Sequence, residues 1–450
     1  MTPYFQTDLG VLYQGDVLDV LRQLPDESVQ TCVTSPPYWG LRNYKIEPQV
    51  WDAQEGCEHE WGDDLKAKQS GGGWAKGDTF DKKKEFDLGE HSQGSFCLHC
   101  GAWHGSLGLE PTPELFVQHM VEVFREVKRV LRNDGTAWVN LGSSYAGSGS
   151  PGGDFRDGKG GDTYLRPYNR SDCGFKPKDM VPIPWMVAMA LQSDGWWLRS
   201  DIIWYKPNPM PESVTDRPTK SHEYLFLLSK QAKYYYDAEA IREPLSESTL
   251  ADGRNATGRH TQGDEHGTKY DEWKSEQKPS WYRAKVFVNP MNGRNKRSVW
   301  TIATHPFPGS HFAVFPEKLI EPCILAGTSE KGCCPDCGKP WERVVEKGEL
   351  IGKDRGGNYK GRNIDRLVHT NPGKPGMSYE TKTTNWQPTC SCGKEPIPCV
   401  VLDIFFGAGT TGLVCEKLNR RWIGIELSEA YCKIAAKRID NATKQRRLFE

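Results

Sequence analysis

A serine, two prolines and two aromatic residues follow one another near the amino end of the chain, and together they could bind a planar ligand. They are Ser35, Pro36, Pro37, Tyr38 and Trp39. Proline is stiff and leaves the carbonyl before it without competition from an N–H group. The hydroxyl and a carbonyl could accept hydrogen bonds from an amino group while an aromatic ring stacks on the base that carries it. The segment therefore predicts a base-binding site, and a proline-rich turn with a packed tyrosine is the alternative.

A second candidate site joins a strand to a helix near the carboxyl end of the chain. Gly407 and Gly409 allow a ligand to approach the backbone, and the helix that begins at Thr410 offers free N–H groups. Glu426 ends the next strand, where an acid can accept hydrogen bonds from the two hydroxyls of a ribose. The third glycine of a dinucleotide fingerprint is absent, because Gly412 falls at the wrong spacing. A simple tight turn is the alternative.

Two sets of cysteine and histidine residues have the spacing of zinc ligands. The first set is Cys57, His59, Cys97 and Cys100, and the second is Cys334, Cys337, Cys390 and Cys392. Each set offers four ligands as two close pairs, in segments that lack the apolar periodicity of a core, so a structural zinc ion is predicted for each. His99 or His104 could replace His59, and Cys333 could replace Cys334. Free surface cysteines are the alternative.

Alternating strands and helices must position these residues. Strands are predicted at 9–14, 29–33, 136–141, 197–205, 224–228, 400–404 and 422–426, and helices at 16–24, 112–132, 184–193, 317–326, 410–418 and after 428. The helix at 112–132 has a capping Thr112, Pro113 in its first turn and Gly135 as its expected end. The alternation predicts an α/β fold with a doubly wound, mostly parallel sheet, in which ligands bind at the carboxyl ends of the strands.

Composition and charge restrict the class of protein. The chain has 450 residues with 37% hydrophobic content, which suggests a large core with insertions or two domains. No apolar run approaches the roughly 18 residues of a membrane span, and the first residues lack a secretion signal, so we expect a cytoplasmic protein. The net charge is −1, so any affinity for nucleic acid must come from local patches. Fourteen cysteines in such a chain indicate metal binding or buried thiols.

The segment at 35–38 resembles the catalytic S/D/N-P-P-Y/F motif of the DNA amino-methyltransferases. The turn at 403–411 and the acid that follows it resemble the first two cofactor motifs of S-adenosylmethionine-dependent methyltransferases. Residues 311–319 resemble the H-x-A-x-F-P-x-x-L segment that closes over the methionine moiety. The resemblance implies that S-adenosylmethionine contacts Asp16, His311, Phe315, Asp403, Phe405, Gly407, Gly409, Thr410 and Glu426. Ile404 and Ala408 depart from the proline and serine that are usual in the family.

The order of these motifs resembles the permuted β class of the family. The blocks at 204–208 and 221–224 also resemble family blocks that follow the catalytic strand. The resemblance implies a Rossmann-like methyltransferase core with inserted zinc-ribbon-like and target-recognition segments. We expect the catalytic half at 1–44 and 111–236, an inserted Cys/His segment at 45–110, the target-recognition region at 237–300, the cofactor-binding half at 301–326 and 399–450, and a second Cys segment at 327–398.

The resemblance implies transfer of a methyl group to the exocyclic amino group of a base flipped out of double-stranded DNA. Serine at the first motif position favours N4 of cytosine, but family members with serine can act on N6 of adenine, so both bases stay open. Ser35, Pro36, Pro37 and Tyr38 are the expected catalytic residues. Basic residues that could contact phosphates are Arg283, Lys285, Arg294, Lys296 and Arg297, although a solvated face is nearly as good an interpretation.

Several alternatives remain at this point. A methyltransferase for RNA or for protein glutamine would carry N-P-P-Y, and a zinc-ribbon nucleic-acid-binding protein on an inactive core would not need the intact cofactor turn. Carbon-5 methylation of cytosine needs a Pro-Cys nucleophile, but Cys323 and Cys399, the cysteines that follow proline, do not come after the catalytic strand. We therefore expect a bacterial or phage DNA methyltransferase, with a homodimer and a cognate restriction endonuclease as candidate partners.

Overall fold

A nine-stranded sheet forms the centre of the molecule. The computed structural model describes residues 1–41, 46–65, 94–146, 174–176, 178–212, 214–244, 293–304, 314–351 and 378–449. The strands are β1 Phe5–Gln6, β2 Gly10–Gln14, β3 Val29–Thr34, β4 Gln49–Trp51, β5 Ser95–Phe96, β6 Trp103–Gly105, β7 Leu131–Leu141, β8 Ser144–Tyr145, β9 Met180–Val181, β10 Trp197–Tyr205, β11 His222–Ser229, β12 Val299–Thr301, β13 Trp341–Ile351, β14 Ser378–Pro388, β15 Val400–Asp403 and β16 Arg421–Glu426. The helices are α1 Val17–Gln23, α2 Pro113–Val130, α3 Ile183–Ser193, α4 Glu317–Gly327, α5 Thr410–Lys417 and α6 Glu429–Phe449.

The strand order brings distant parts of the chain together. The order is β1-β2-β16-β15-β3-β7-β11-β10-β12. Strands β2, β16, β15, β3 and β7 pair in parallel, whereas β11 is antiparallel to both of its neighbours. In particular, β15 lies beside β3, with Val401 opposite Thr31. The carboxyl ends of the two strands that precede the predicted catalytic and cofactor segments therefore lie at the same edge of the sheet.

Helices cover both faces of the sheet, as a doubly wound fold requires. Side chains alternate along each strand, so Val400 and Leu402 face the core formed with α1, α2 and α3, while Val401 faces the core formed with α4, α5 and α6. Helix α2 buries one stripe of residues, including Phe116 and Val123. The predicted α/β class and mostly parallel sheet are confirmed. None of the helices within the described ranges is long and apolar enough to cross a membrane.

Two details differ from the sequence-based expectation. Helix α2 ends at Val130 rather than at Gly135, because Leu131 is already extended and pairs with Val29 at the start of β7. The two cysteine-bearing segments also contain regular structure. The first forms a small sheet in the order β4-β6-β5, and the second contains the hairpin of β13 and β14. These strands pair within their own segment and not with the central sheet, so core periodicity did not reveal them.

Candidate functional site

A cavity of about 330 Å³ receives residues from both predicted sites. Its lining includes the corner at 35–38, which follows β3, and the turn at 404–408, which follows β15. Strand β3 is buried along its whole length, and the two prolines make the chain leave the sheet at its end. The two corners thus open into the same space.

A hydrogen bond joins the two corners directly. Thr34, the last residue of β3, donates its hydroxyl to Oδ1 of Asp403 at 2.7 Å. Thr411 donates to Oδ2 of the same carboxylate at 2.6 Å, and the amide of Phe405 donates to Oδ1 at 3.2 Å. Burial raises the pKa of Asp403 to about 6, while these three hydrogen bonds act in the opposite direction. Asp403 was predicted to contact the cofactor, but it lies outside the lining and holds the turn in shape.

The two glycines of the turn have different surroundings. Both adopt positive φ, +51° at Gly407 and +76° at Gly409. A Cβ atom on Gly407 would meet nothing closer than 3.9 Å, and this residue lines the cavity. A Cβ atom on Gly409 would lie 2.9 Å from Cβ of Ala435, so this glycine allows α6 to pack against the turn. Gly409, also predicted as a cofactor contact, is not among the residues that line the cavity.

Two acidic residues face the cavity beside this turn. Glu426 accepts from the amide of Gly407 at 2.8 Å and from the amide of Ser428 at 2.8 Å. Its withdrawal from solvent raises its pKa to about 7, against the effect of these hydrogen bonds. Asp16 caps α1 through the amide of Leu18 at 2.9 Å, and burial raises its pKa as well. The helix-cap and ligand-site interpretations of Asp16 are therefore compatible.

Of the remaining predicted cofactor residues, three line the cavity and one lies outside the described part of the chain. Phe315, Phe405 and Thr410 line the cavity. The hydroxyl of Thr410 accepts a hydrogen bond from Arg438 at 2.8 Å. His311 lies outside the described residues.

At the proline corner, side chains from three strands surround the predicted catalytic residues. Ser35 contacts the carbonyl of Asn140 through its hydroxyl at 3.4 Å. The Tyr38 hydroxyl lies 2.7 Å from Oε2 of Glu223 and 3.1 Å from Oδ1 of Asn140. Lys206 forms an ion pair with Glu223, and its Nζ lies 4.2 Å from the centre of the Trp204 ring. Pro36 and Pro37 also line the cavity.

Sequence reasoning did not single out three of these lining residues. They are Asn140, Lys206 and Glu223. The last two lie in the blocks at 204–208 and 221–224, whose resemblance to the family was the available signal. Ile46, Gln49 and Trp51 also line the cavity, so the first cysteine-bearing segment contributes to it.

The predicted metal ligands come together in two groups. Within each set, Cys57, His59, Cys97 and Cys100 or Cys334, Cys337, Cys390 and Cys392, the potential ligand atoms all lie within 4.8 Å of one another. The described cysteines are not joined by disulfides. Cys323 and Cys399 are fully buried and do not line the cavity.

Of the five predicted DNA-contacting residues, the structure describes three, and two of these form ion pairs. Arg283 and Lys285 lie outside the described residues. Arg294 and Lys296 both form ion pairs with Glu243, at 3.2 and 3.4 Å. Arg297 is exposed.

Comparison with known proteins shows which family the chain belongs to. A solved structure of PvuII DNA methyltransferase (cytosine-N4-specific) aligns over 98% of this chain and 94% of its own, with 15% identity and a TM-score of 0.44. Type II methyltransferase M.Cfr9I of Citrobacter freundii is 34% identical over 430 residues, which cover 96% of this chain and 87% of that protein. Type II methyltransferase M.SmaI of Serratia marcescens is 33% identical over 426 residues, which cover 94% of this chain and 89% of that protein. Residues 29–337 and 399–437 match the family model described as DNA methylase. The chain therefore belongs to the DNA methylase family and is an S-adenosylmethionine-dependent amino-methyltransferase of adenine or cytosine in DNA.

Proposed function

We propose that the 330 Å³ cavity is the site of methyl transfer and that its target is the N4 amino group of cytosine. One observation supports the site: the Ser35 corner and the Gly407 turn line the same cavity. A hydrogen bond from Thr34 to Asp403 joins the two segments. A methyl donor and an amino acceptor must lie in contact for direct transfer, and this arrangement provides for both.

The cofactor end of the cavity has the donor and acceptor groups that S-adenosylmethionine needs. When bound, this cofactor supplies a methyl group on a positively charged sulfur. Each carboxylate oxygen of Glu426 accepts one backbone hydrogen bond and keeps a lone pair for a ribose hydroxyl. Gly407 leaves open space where any side chain would intrude. Phe315 and Phe405 add apolar surface, and Asp16 lies where a residue near the adenine ring is expected.

The other end of the cavity fits the amino group of a base. Its nitrogen is a poor nucleophile, because its lone pair is delocalised into the ring, and acceptors on its hydrogens increase its electron density. The Ser35 hydroxyl can accept there, because its hydrogen points to the carbonyl of Asn140 at 3.4 Å and its lone pairs serve as acceptors. The Pro36 carbonyl is the second acceptor. The Tyr38 ring, held by its hydroxyl contact with Glu223, is placed to stack on the flipped base.

Two features favour cytosine over adenine. The first is Ser35 at the leading position of the motif. The second is Lys206, whose ammonium group lines the cavity and has three donors, of which Glu223 uses one. Beside its amino group and ring nitrogen, cytosine presents a carbonyl oxygen where adenine presents a C–H group, so a cationic donor is complementary to cytosine.

The test is the identity of the modified nucleoside. DNA from a host without its own methyltransferases is incubated with the protein and S-adenosylmethionine, digested to nucleosides and analysed by mass spectrometry. We expect N4-methylcytosine, and we expect none with Tyr38→Ala, which removes the stacking ring. N6-methyladenine would overturn the choice of base while keeping the site. Absence of both modified nucleosides would contradict the proposed site and base together.

DNA binding and biological context complete the proposal. Among the predicted DNA contacts that the structure describes, Arg297 is proposed to contact phosphate, because Arg294 and Lys296 are paired with Glu243. The relatives are named Type II methyltransferases, which supports modification of DNA against a cognate restriction endonuclease in a bacterial cytoplasm. A homodimer remains part of this proposal, and sedimentation of the purified protein tests it.

A further inference from the structure

We propose that each of the two four-ligand sets binds one zinc ion and that the first ion stabilises a wall of the methyl-transfer cavity. The metal part of this proposal stands apart from the function proposed above, whereas the role of the wall rests on it. The first set is called the near site and comprises Cys57, His59, Cys97 and Cys100. The second set is called the far site and comprises Cys334, Cys337, Cys390 and Cys392.

The near site has the dimensions of a tetrahedral zinc site. Sγ of Cys57 lies 3.9 Å from Sγ of Cys97, and Sγ of Cys100 lies 3.5 Å from Nδ1 of His59. Tetrahedral zinc with bonds of about 2.3 Å to sulfur and about 2.0 Å to nitrogen separates such atoms by about 3.8 and 3.5 Å. A disulfide would need sulfurs about 2.05 Å apart, so the observed sulfur separation does not correspond to one.

The same ligand-bearing turn occurs at both sites. In the near site, the amide of Gly101 donates to the carbonyl of Cys97 at 3.0 Å. In the far site, the amide of Gly338 donates to the carbonyl of Cys334 at 2.8 Å. Both glycines adopt left-handed φ, +76° and +67°. In the near site the amide of His99 also points at Sγ of Cys97, at 3.4 Å, and so supports negative charge on that sulfur. Two distant segments thus form the turn that suits a C-x-x-C metal ligand pair.

The residues that could have replaced these ligands have other contacts. The ring of His99 bonds to the carbonyl of Glu58 at 2.9 Å. The ring of His104 is tilted against the ring of Trp61, with centroids 4.9 Å apart. Sγ of Cys333 faces the carbonyl of Pro398 at 4.0 Å. The described residues whose ligand atoms lie within 4.8 Å of one another are the near-site and far-site sets, and His99, His104 and Cys333 are not among them.

The near site lies in a module that is small for a unit held by packing alone. Its strands β4, β5 and β6 contain three, two and three residues. Short sheets of this kind are marginally stable by themselves, so a metal ion would add to the stability that packing against the core provides. Because binding free energy of a structural zinc ion is also folding free energy, the ion would hold β5 and β6 in register with β4.

This module reaches the cavity through tryptophan residues. Trp103 in β6 lies opposite Trp51 in β4. Trp51 lines the cavity, and the rings of both tryptophans stack on His119, at centroid distances of 4.7 and 5.4 Å. Loss of the metal would therefore free Trp51 and the neighbouring cavity lining to move.

The same contacts continue to the proline corner. Nδ1 of His119 lies 3.0 Å from Oε1 of Glu110. The carbonyl of Glu110 accepts from the indole N–H of Trp39 at 2.9 Å. The carbonyl of Gly108 accepts from the amide of Gly40 at 2.8 Å. Trp39 directly follows Tyr38, so the near site would position the stacking ring without touching the substrate.

The far site provides a matched control because it contacts the opposite end of the strands. The carbonyl of Cys337 accepts a hydrogen bond from Arg132, and the carbonyl of Gly338 accepts from the side chain of Gln30 at 3.4 Å. Gln30 and Arg132 lie near the starts of β3 and β7, whereas the cavity lies at the end of β3. Loss of metal at the far site should lower stability and leave the cavity intact.

The first measurement is the zinc content of the protein. Protein purified without chelators should contain two zinc ions per chain by elemental mass spectrometry. Cys97→Ser/Cys100→Ser and Cys334→Ser/Cys337→Ser should each retain one, and His59→Cys should keep two because it supplies a fourth thiolate. Fewer than two ions in the wild-type protein, or two ions in either double variant, would overturn the metal assignment.

The same samples test whether the near site positions the cavity lining for methyl transfer. We expect kcat for DNA methylation to fall at least tenfold in Cys97→Ser/Cys100→Ser and to stay within twofold in Cys334→Ser/Cys337→Ser. Fluorescence of pyrrolocytosine, a cytosine analogue, at the target position should change only in the first variant, and S-adenosylmethionine affinity should change in neither. Equal kcat for the two variants would overturn the positioning role. If the near-site variant does not fold, stepwise removal of zinc from wild-type protein gives the same comparison, with loss of kcat expected before loss of cofactor binding.

Discussion

The two glycines of the cofactor turn, Gly407 and Gly409, give a sharp test of the site. Alanine at Gly409 should cost more stability, whereas alanine at Gly407 should cost more cofactor affinity. Alanine in the left-handed region costs about 1–2 kcal/mol of stability. Gly407→Ala should cost about this much, because its Cβ meets open space. Gly409→Ala should cost about 1–3 kcal/mol more, because its Cβ would lie 2.9 Å from Cβ of Ala435.

The order should reverse for cofactor affinity. The new methyl group of Gly407→Ala projects toward the cavity, and we expect S-adenosylmethionine to bind at least about tenfold more weakly, or ~1.4 kcal/mol. Gly409→Ala should bind it within about twofold of the wild-type protein at a temperature where both are folded, a difference of ~0.4 kcal/mol.

Urea unfolding measures the first quantity and isothermal titration calorimetry the second. The two variants serve as controls for each other, since both add one methyl group at a positive φ in the same turn. The reasoning would be refuted if Gly409→Ala were the variant that lost cofactor affinity, or if Gly407→Ala were the less stable of the two.

Three further predictions concern charge and the stacking ring. Because the pKa of Glu426 is about 7, S-adenosylmethionine affinity should rise between pH 6 and pH 8 as the carboxylate forms, and Glu426→Gln should remove this dependence in a titration series. Arg297→Ala should reduce the slope of log binding constant against log salt concentration by about one charge. Arg294→Ala, which breaks the ion pair with Glu243, should lower the free energy of unfolding and leave this slope nearly unchanged. Equal slopes in the wild-type protein and Arg297→Ala would count against the contact. Tyr38→Phe keeps the ring and should retain kcat within about tenfold, since one hydrogen bond contributes about 1 kcal/mol, so a loss as large as in Tyr38→Ala would contradict stacking as the main role.

The sequence allowed the main elements of the fold to be predicted because their signals are local. Helix α2 carries its cap at Thr112, a proline in its first turn and a continuous apolar stripe. Strand β3 is an apolar run that ends in two prolines. The hairpin of β13 and β14 had no such signal, because its strands are rich in charged and polar residues and pair with each other.

The candidate site was predictable only where the chain brings its residues together in one segment. The proline corner and the glycine turn are each continuous in sequence. Lys206 and Glu223 meet through the antiparallel register of β10 and β11, in which Trp204 lies opposite Glu223. A single sequence does not reveal that register. Asp403 was assigned to the ligand because its motif resembles the cofactor turn, but its three hydrogen bonds are internal to the protein.

The pairing of Glu243 with Arg294 has a consequence for how this protein could diversify. The amide of each residue donates to the carbonyl of the other, at 2.9 and 2.8 Å, so the chain departs and returns at a single point. The two backbone hydrogen bonds therefore hold the ends of the stretch between residues 243 and 294 side by side. Insertions, deletions or exchange of that stretch would leave the strands that flank it in register. Because that stretch lies within the predicted target-recognition region, we expect its replacement to change the DNA sequence that is recognised while the methyl-transfer reaction stays the same.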